Sequence, residues 1–140
     1  MKIAKEFTWE MGHRLFFHTG KCKNLHGHSY KCIVELTGDP DINGMVMDYY
    51  DLKKVVVPIL DELDHAFMVC KNDKEVTSYL DKLNSKKVVV DFDTTAENIC
   101  VYLLDKIIST KLPNNIIAVK VRVLETENSY AEESCNLEGH

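Results

Sequence analysis

The sequence predicts an α+β fold in which a sheet built from both ends of the chain carries two main helices on one face. Three observations carry that prediction. Residues alternate apolar and polar near each terminus, apolar residues recur at helical spacing between them, and the order runs strand, strand, helix, helix, strand, strand. A length of 140 residues suits one domain over 1–140, with residues 135–140 expected as a disordered tail.

From Ile3 to His13 the odd positions hold Ile3, Phe7, Trp9, Met11 and His13, with Lys5 the exception, against Glu6, Thr8 and Glu10 on the even ones. Period two means a strand with one buried face, and His13 falls on that face at the strand's end. In the second strand His26, His28, Tyr30, Cys32, Val34 and Leu36 share one parity, while Lys31, Glu35 and Thr37 take the other. His28 lies two positions beyond His26, so both rings point to one face. Gly27 between them leaves room for a close backbone approach. If the two strands pair antiparallel, the end of the first meets the start of the second, and His13 joins His26 and His28.

"GDPDINGMVMDYYDLKK" follows as a turn, a short extended piece and a helix start, with Asp48 placed to cap the free N–H groups of the first turn. Leu52, Val55, Val56, Ile59, Leu60 and Leu63 form one apolar stripe, with a kink or break expected at Pro58. The helix should end before "LDHAF". Residues 70–87 are charged and weakly patterned and read as a surface excursion with a short helix around Ser78 to Leu83. "KVVVDF" is a brief strand, and "DTTAENICVYLLDKIIS" is the second main helix, with Thr94 and Glu97 as a capping box and Ile99, Leu103 and Ile107 facing inward. Val119, Val121 and Val123 then alternate with Lys120 and Arg122, and a turn near Asn128 or Ser129 returns a fourth strand.

Composition narrows the function. A hydrophobic fraction of 45% with 28% charged residues is ordinary for a globular protein. A formal net charge of −5 argues against a nucleic-acid partner, which needs a basic footprint. No apolar run approaches a membrane span and no secretory signal is evident, so no membrane partner is expected. Cys22, Cys32, Cys70, Cys100 and Cys135 are odd in number and scattered, as free thiols of a reducing cytoplasm would be.

Three histidines on converging strand ends suit Zn²⁺, which binds imidazole nitrogen and keeps an open position when the site is catalytic. Cys22, flanked by Lys21 and Lys23, is placed as a fourth ligand or as a nucleophile or base beside the metal. Asp64 is positioned to orient His65, although a helix C-terminus also favours a histidine. Glu125 continues the valine parity, so it pairs with a ligand or donor there, or the strand ends and exposes it. A carboxylate also matches two parallel N–H groups on an amino-pyrimidine edge.

In combination, "FTWEMGHRL", "GKCKNLHGHSY", "GMVMDYYDLKK", "LDHAF", "TTAENI" and "LETENSY" resemble the 6-pyruvoyl-tetrahydropterin synthase and 6-carboxy-tetrahydropterin synthase family over nearly the whole chain. The resemblance implies a tunnelling fold, or T-fold: a four-stranded antiparallel sheet with two main helices. It further implies barrels of three subunits stacked as a homo-hexamer, a dimer of trimers with active sites at subunit interfaces.

By motif, His13, His26 and His28 would bind zinc acting as a Lewis acid on the side chain of 7,8-dihydroneopterin triphosphate. Cys22 would be the general base, His65 supported by Asp64 its acid–base partner, and Glu125 the anchor of the pterin ring. Thr94 or Thr95 would add a pterin contact. The three residues between the cysteine and HGH in "CKNLHGH" are similar to the carboxy branch. That branch makes 6-carboxy-5,6,7,8-tetrahydropterin, acetaldehyde and triphosphate on the route to queuosine. The alternatives are a pyruvoyl-type lyase that releases triphosphate without acetaldehyde, and a zinc- or pterin-binding T-fold protein without turnover.

Overall fold

The fold is described over residues 1–137 from a computed structural model. Its elements are β1 (Lys2–His13), β2 (His26–Gly38), α1 (Tyr49–Leu63), β3 (Ala66–Cys70), α2 (Lys74–Leu83), β4 (Lys87–Val90), α3 (Ala96–Ile108), β5 (Ile116–Thr126) and β6 (Ser129–Asn136). A 3-10 turn, Lys21–Lys23, lies between the first two strands. All six strands form one sheet in the order β4-β3-β1-β2-β5-β6.

The four expected strands pair antiparallel, β1 with β2, β2 with β5, and β5 with β6. The sheet nonetheless has six strands, because β3 and β4 extend it beyond β1 in parallel. Both lie in or beside the stretch expected as a surface excursion. Ala66–Cys70 shows no clean alternation because the sheet buries most of it on both faces, so period two has nothing to report. Cys135 and Asn136, expected in the tail, belong to β6, whereas 138–140 lie outside the described residues.

Tyr30, Val34, Leu36, Val119, Val121 and Val123 are wholly buried on one sheet face, against Leu52, Val56, Leu60 and Leu63 of α1 and Ile99, Leu103 and Ile107 of α3. At about 25 cal/mol per Å² of apolar surface removed from water, this layer is the main source of stability. The opposite parity carries cross-strand ion pairs such as Lys120 with Glu35 and Arg122 with Glu132. α2 is longer than expected and forms a separate small cluster, in which Val76 and Leu80 meet Val69 and Phe67 of β3. Met68, between those two strand residues, joins the main core instead.

Helix ends also correct the sequence reading. Asp48 caps α1 as expected, its side chain accepting from the Tyr50 N–H. The helix continues through Pro58 to Leu63 without a break, its buried stripe outweighing the missing backbone donor. Thr95, not Thr94, caps α3 and accepts from the Asn98 N–H. The predicted box with Glu97 therefore does not form, since the helix starts one residue later and Thr94 is buried with other partners. No helix among the described residues is long and apolar enough to cross a membrane.

Candidate metal centre and active site

The antiparallel register of β1 and β2 places His13 opposite His26 and Met11 opposite His28. All three imidazoles therefore stand on one face at one end of the strand pair. Their ring centroids lie 4.6, 5.2 and 5.0 Å apart, and one ligand atom from each falls within 4.8 Å of the others. Gly27 permits this closeness. A Cβ there would stand 3.0 Å from the Met11 carbonyl oxygen and push the strand ends apart.

The ring nitrogens are sorted by their neighbours. His13 Nδ1 lies 2.7 Å from the Thr94 carbonyl oxygen, and His26 Nδ1 lies 2.7 Å from that of Asn24. A carbonyl only accepts, so each Nδ1 carries a proton and Nε2 is the atom left to serve as a ligand. The Nε2 atoms of His13 and His28 are buried and have no hydrogen-bond partner. Buried polar atoms without partners are rare, and a cation at the centre of the three rings would satisfy both of these. Burial, reinforced by the other two histidines, holds the His13 pKa down at about 4. Burial and then His26 lower that of His28. Neutral imidazole is the ligating form, and the donor set of three nitrogens fits Zn²⁺ with a position left open.

Glu125 of β5 resolves to the covered alternative. It is half-buried, with its oxygens 3.8 Å from Nε2 of both His13 and His28. Neutral rings at that distance do not form ion pairs with it, and burial raises the carboxyl's own pKa. Its donor is Tyr30, whose buried hydroxyl reaches Glu125 Oε1 at 3.5 Å and whose ring stacks on Trp9 with centroids 4.9 Å apart. A depression of about 670 Å³ opens beside Glu125 and His28. His28 also lines a second cavity, of about 360 Å³, that it shares with His65, Glu10 and Gly12. The three histidines thus stand between the Glu125 side and the His65 side.

Asp64 and His65 sit where α1 hands over to β3. One Asp64 oxygen accepts the Glu10 N–H at 2.8 Å and the other lies 3.0 Å from His65 Nδ1. The Glu10 N–H, ahead of His65, holds the Asp64 carboxyl below the usual carboxylate range. His65 also gives its backbone N–H to the Glu10 carbonyl and takes a left-handed φ of 59°, which fixes an otherwise exposed ring at the cavity edge.

Cys22 lies on the 3-10 turn, half-buried, with its carbonyl accepting the Leu15 N–H at 2.8 Å. It is not one of the groups that converge on the centre, which among the described residues comprises the three histidines. Thr94 and Thr95 are both engaged structurally, Thr94 Oγ1 donating to the Arg14 carbonyl. Sequence reasoning passed over Tyr30, although it shares the parity of His26 and His28, and also passed over Arg14.

A family model described as 6-pyruvoyl tetrahydropterin synthase matches residues 2–135. The chain belongs to that family. Among the relatives of this pterin-synthase member is the 6-carboxy-5,6,7,8-tetrahydropterin synthase of Haemophilus influenzae, 41% identical, with 94% of this chain and 96% of the relative covered. The enzyme of that name from Aquifex aeolicus is 31% identical at the same coverage. The crystal structure of 6-pyruvoyl tetrahydropterin synthase from Plasmodium vivax superposes with a TM-score of 0.79 at 21% identity, covering 98% of each chain. The architecture is accordingly the α+β tunnelling fold.

Proposed function

We propose that this protein is a zinc-dependent lyase. It converts 7,8-dihydroneopterin triphosphate and water to 6-carboxy-5,6,7,8-tetrahydropterin, acetaldehyde and triphosphate, on the route to queuosine and related deazapurines. The observation that carries the reading is the group of three converging histidines, two with buried, unpartnered Nε2 atoms, beside the Glu125 carboxylate. Bound there by His13, His26 and His28, zinc would supply Lewis-acid polarisation of the substrate's side-chain oxygens.

The chain's own groups divide the remaining work. Glu125, steadied by Tyr30, accepts the N–H edge of the pterin ring in the adjoining depression. Cys22 takes a proton from the substrate side chain, and His65, oriented by Asp64, returns one from the other side of His28. Thr94 or Thr95 adds a contact to the pterin at the α3 end. The carboxy product is favoured by the spacing in "CKNLHGH" and by the name of the 41%-identical relative. Three subunits joined through the open edges β4 and β6, stacked as a dimer of trimers, would complete the sites, and five free thiols suit the cytoplasm.

Anaerobic incubation of zinc-loaded protein with 7,8-dihydroneopterin triphosphate tests this. Mass analysis of the pterin and an acetaldehyde assay should show carboxypterin and acetaldehyde in equal amounts. The pyruvoyl compound with triphosphate and no acetaldehyde would assign the other branch, and no turnover by metal-replete protein would refute the lyase.

A further inference from the structure

We propose that Asp73 is a positioning residue for the metal centre, holding the end of β1 through Arg14 so that His13 keeps its ring against Thr94. The proposal rests on the metal reading above. Arg14 follows His13 directly in the chain. Its Nε donates to Asp73 Oδ2 and its Nη2 to Oδ1, both at 2.7 Å. Asp73 is 4% exposed and also caps α2. The Arg14 carbonyl accepts from Thr94 Oγ1 at 3.3 Å, while the Thr94 carbonyl accepts from His13 Nδ1. Thr94 is therefore bonded to two consecutive residues, and the second of them is clamped from the far side by α2.

Packing alone does not account for the pair. α2 already has an apolar anchor in Val76 and Leu80 against Val69 and Phe67. Burying a carboxylate costs desolvation that the guanidinium roughly offsets, so an apolar pair of similar volume would hold the helix as well. What the two-pronged bond adds is direction, because it fixes the guanidinium plane and with it the backbone that leaves His13. The segment from Cys70 to Val90 thereby acquires a role, bracing a ligand strand from outside.

The test is a zinc titration of the full chain, stripped by chelator, against a chromophoric competitor. The variants are Asp73→Asn, which keeps a cap for α2, Arg14→Lys, which keeps the charge and loses the fork, and Lys82→Gln on the exposed side of the same helix. Thermal unfolding of each metal-free protein and the ¹⁵N signature of His13 Nδ1–H accompany it.

Zinc affinity should fall about tenfold or more in the first two variants, as for lost outer partners of a metal ligand, and stay at the parent value in the third. The His13 signal should shift with it. Folded Asp73→Asn and Arg14→Lys proteins that bind zinc within about twofold of the parent would overturn the proposal, whatever their melting temperatures. Failure of both to fold would also overturn it, by making the pair a folding element. If the parent itself binds no zinc, the metal reading falls and takes this one with it. Parent binding matched by the variants removes the clamp alone.

Discussion

His13 gives its Nδ1 proton to the backbone carbonyl of Thr94, 2.7 Å away across 81 positions of sequence. That bond selects the tautomer whose Nε2 faces His26 and His28, and it ties the end of β1 to the start of α3. His13→Ala removes both the donor atom and the tie. Zinc affinity should fall by more than about 100-fold, the upper range for losing only an outer partner. Competition titration measures it. Zinc added to metal-free parent should raise the melting temperature, since the three histidines converge only in the folded chain.

The low His13 pKa makes metal-free stability depend on pH with a definite sign. The unfolded imidazole titrates near 6.5 and the folded one near 4, so between those values the unfolded chain binds the extra proton. His13's contribution is therefore complete above pH 6.5 and is lost as pH falls towards 4. Urea unfolding of chelator-treated protein should show midpoints falling through that window, and His13→Gln should flatten this part of the profile. An unchanged slope in the variant would assign the dependence to other groups.

Tyr30 is expected to act through Glu125. Tyr30→Phe removes the hydroxyl that donates to Oε1 and keeps the ring stacked on Trp9. Stability should drop by about 1 kcal/mol, the net worth of such a bond. KM for the pterin substrate should rise while kcat changes little, because the carboxylate proposed to hold the ring loses its orientation. Trp9, the single tryptophan of the chain, offers a fluorescence readout of the same perturbation.

His65 holds a left-handed φ of 59°, a conformation that costs a side-chain-bearing residue about 1–3 kcal/mol. His65→Gly should leave the melting temperature unchanged or raised and abolish turnover with zinc still bound. A variant that is both less stable and active would remove His65 from the proposed proton path.

Alternation along three segments settled which side of its strand each of His13, His26, His28 and Glu125 would take, because period two is a property of the extended backbone itself. The apolar stripes of α1 and α3 and the cap at Asp48 were equally local, and so were equally legible. Other features depended on partners distant in sequence. β3 carries no alternation because both its faces are covered, and the side on which α2 packs follows from Phe67 and Val69 pointing away from Met68. Whether Thr94 or Thr95 caps α3 turned on how that helix docks against Arg14.

By itself, then, the sequence determined the candidate ligands, their common face and the family they resemble. The tertiary structure decided which ring nitrogens stay unpartnered, that Cys22 stands outside the converging set, and that Asp73 reaches Arg14. Those are relations between elements, set when side chains from separate segments compete for the same buried donors and acceptors, and no periodicity along one segment encodes them.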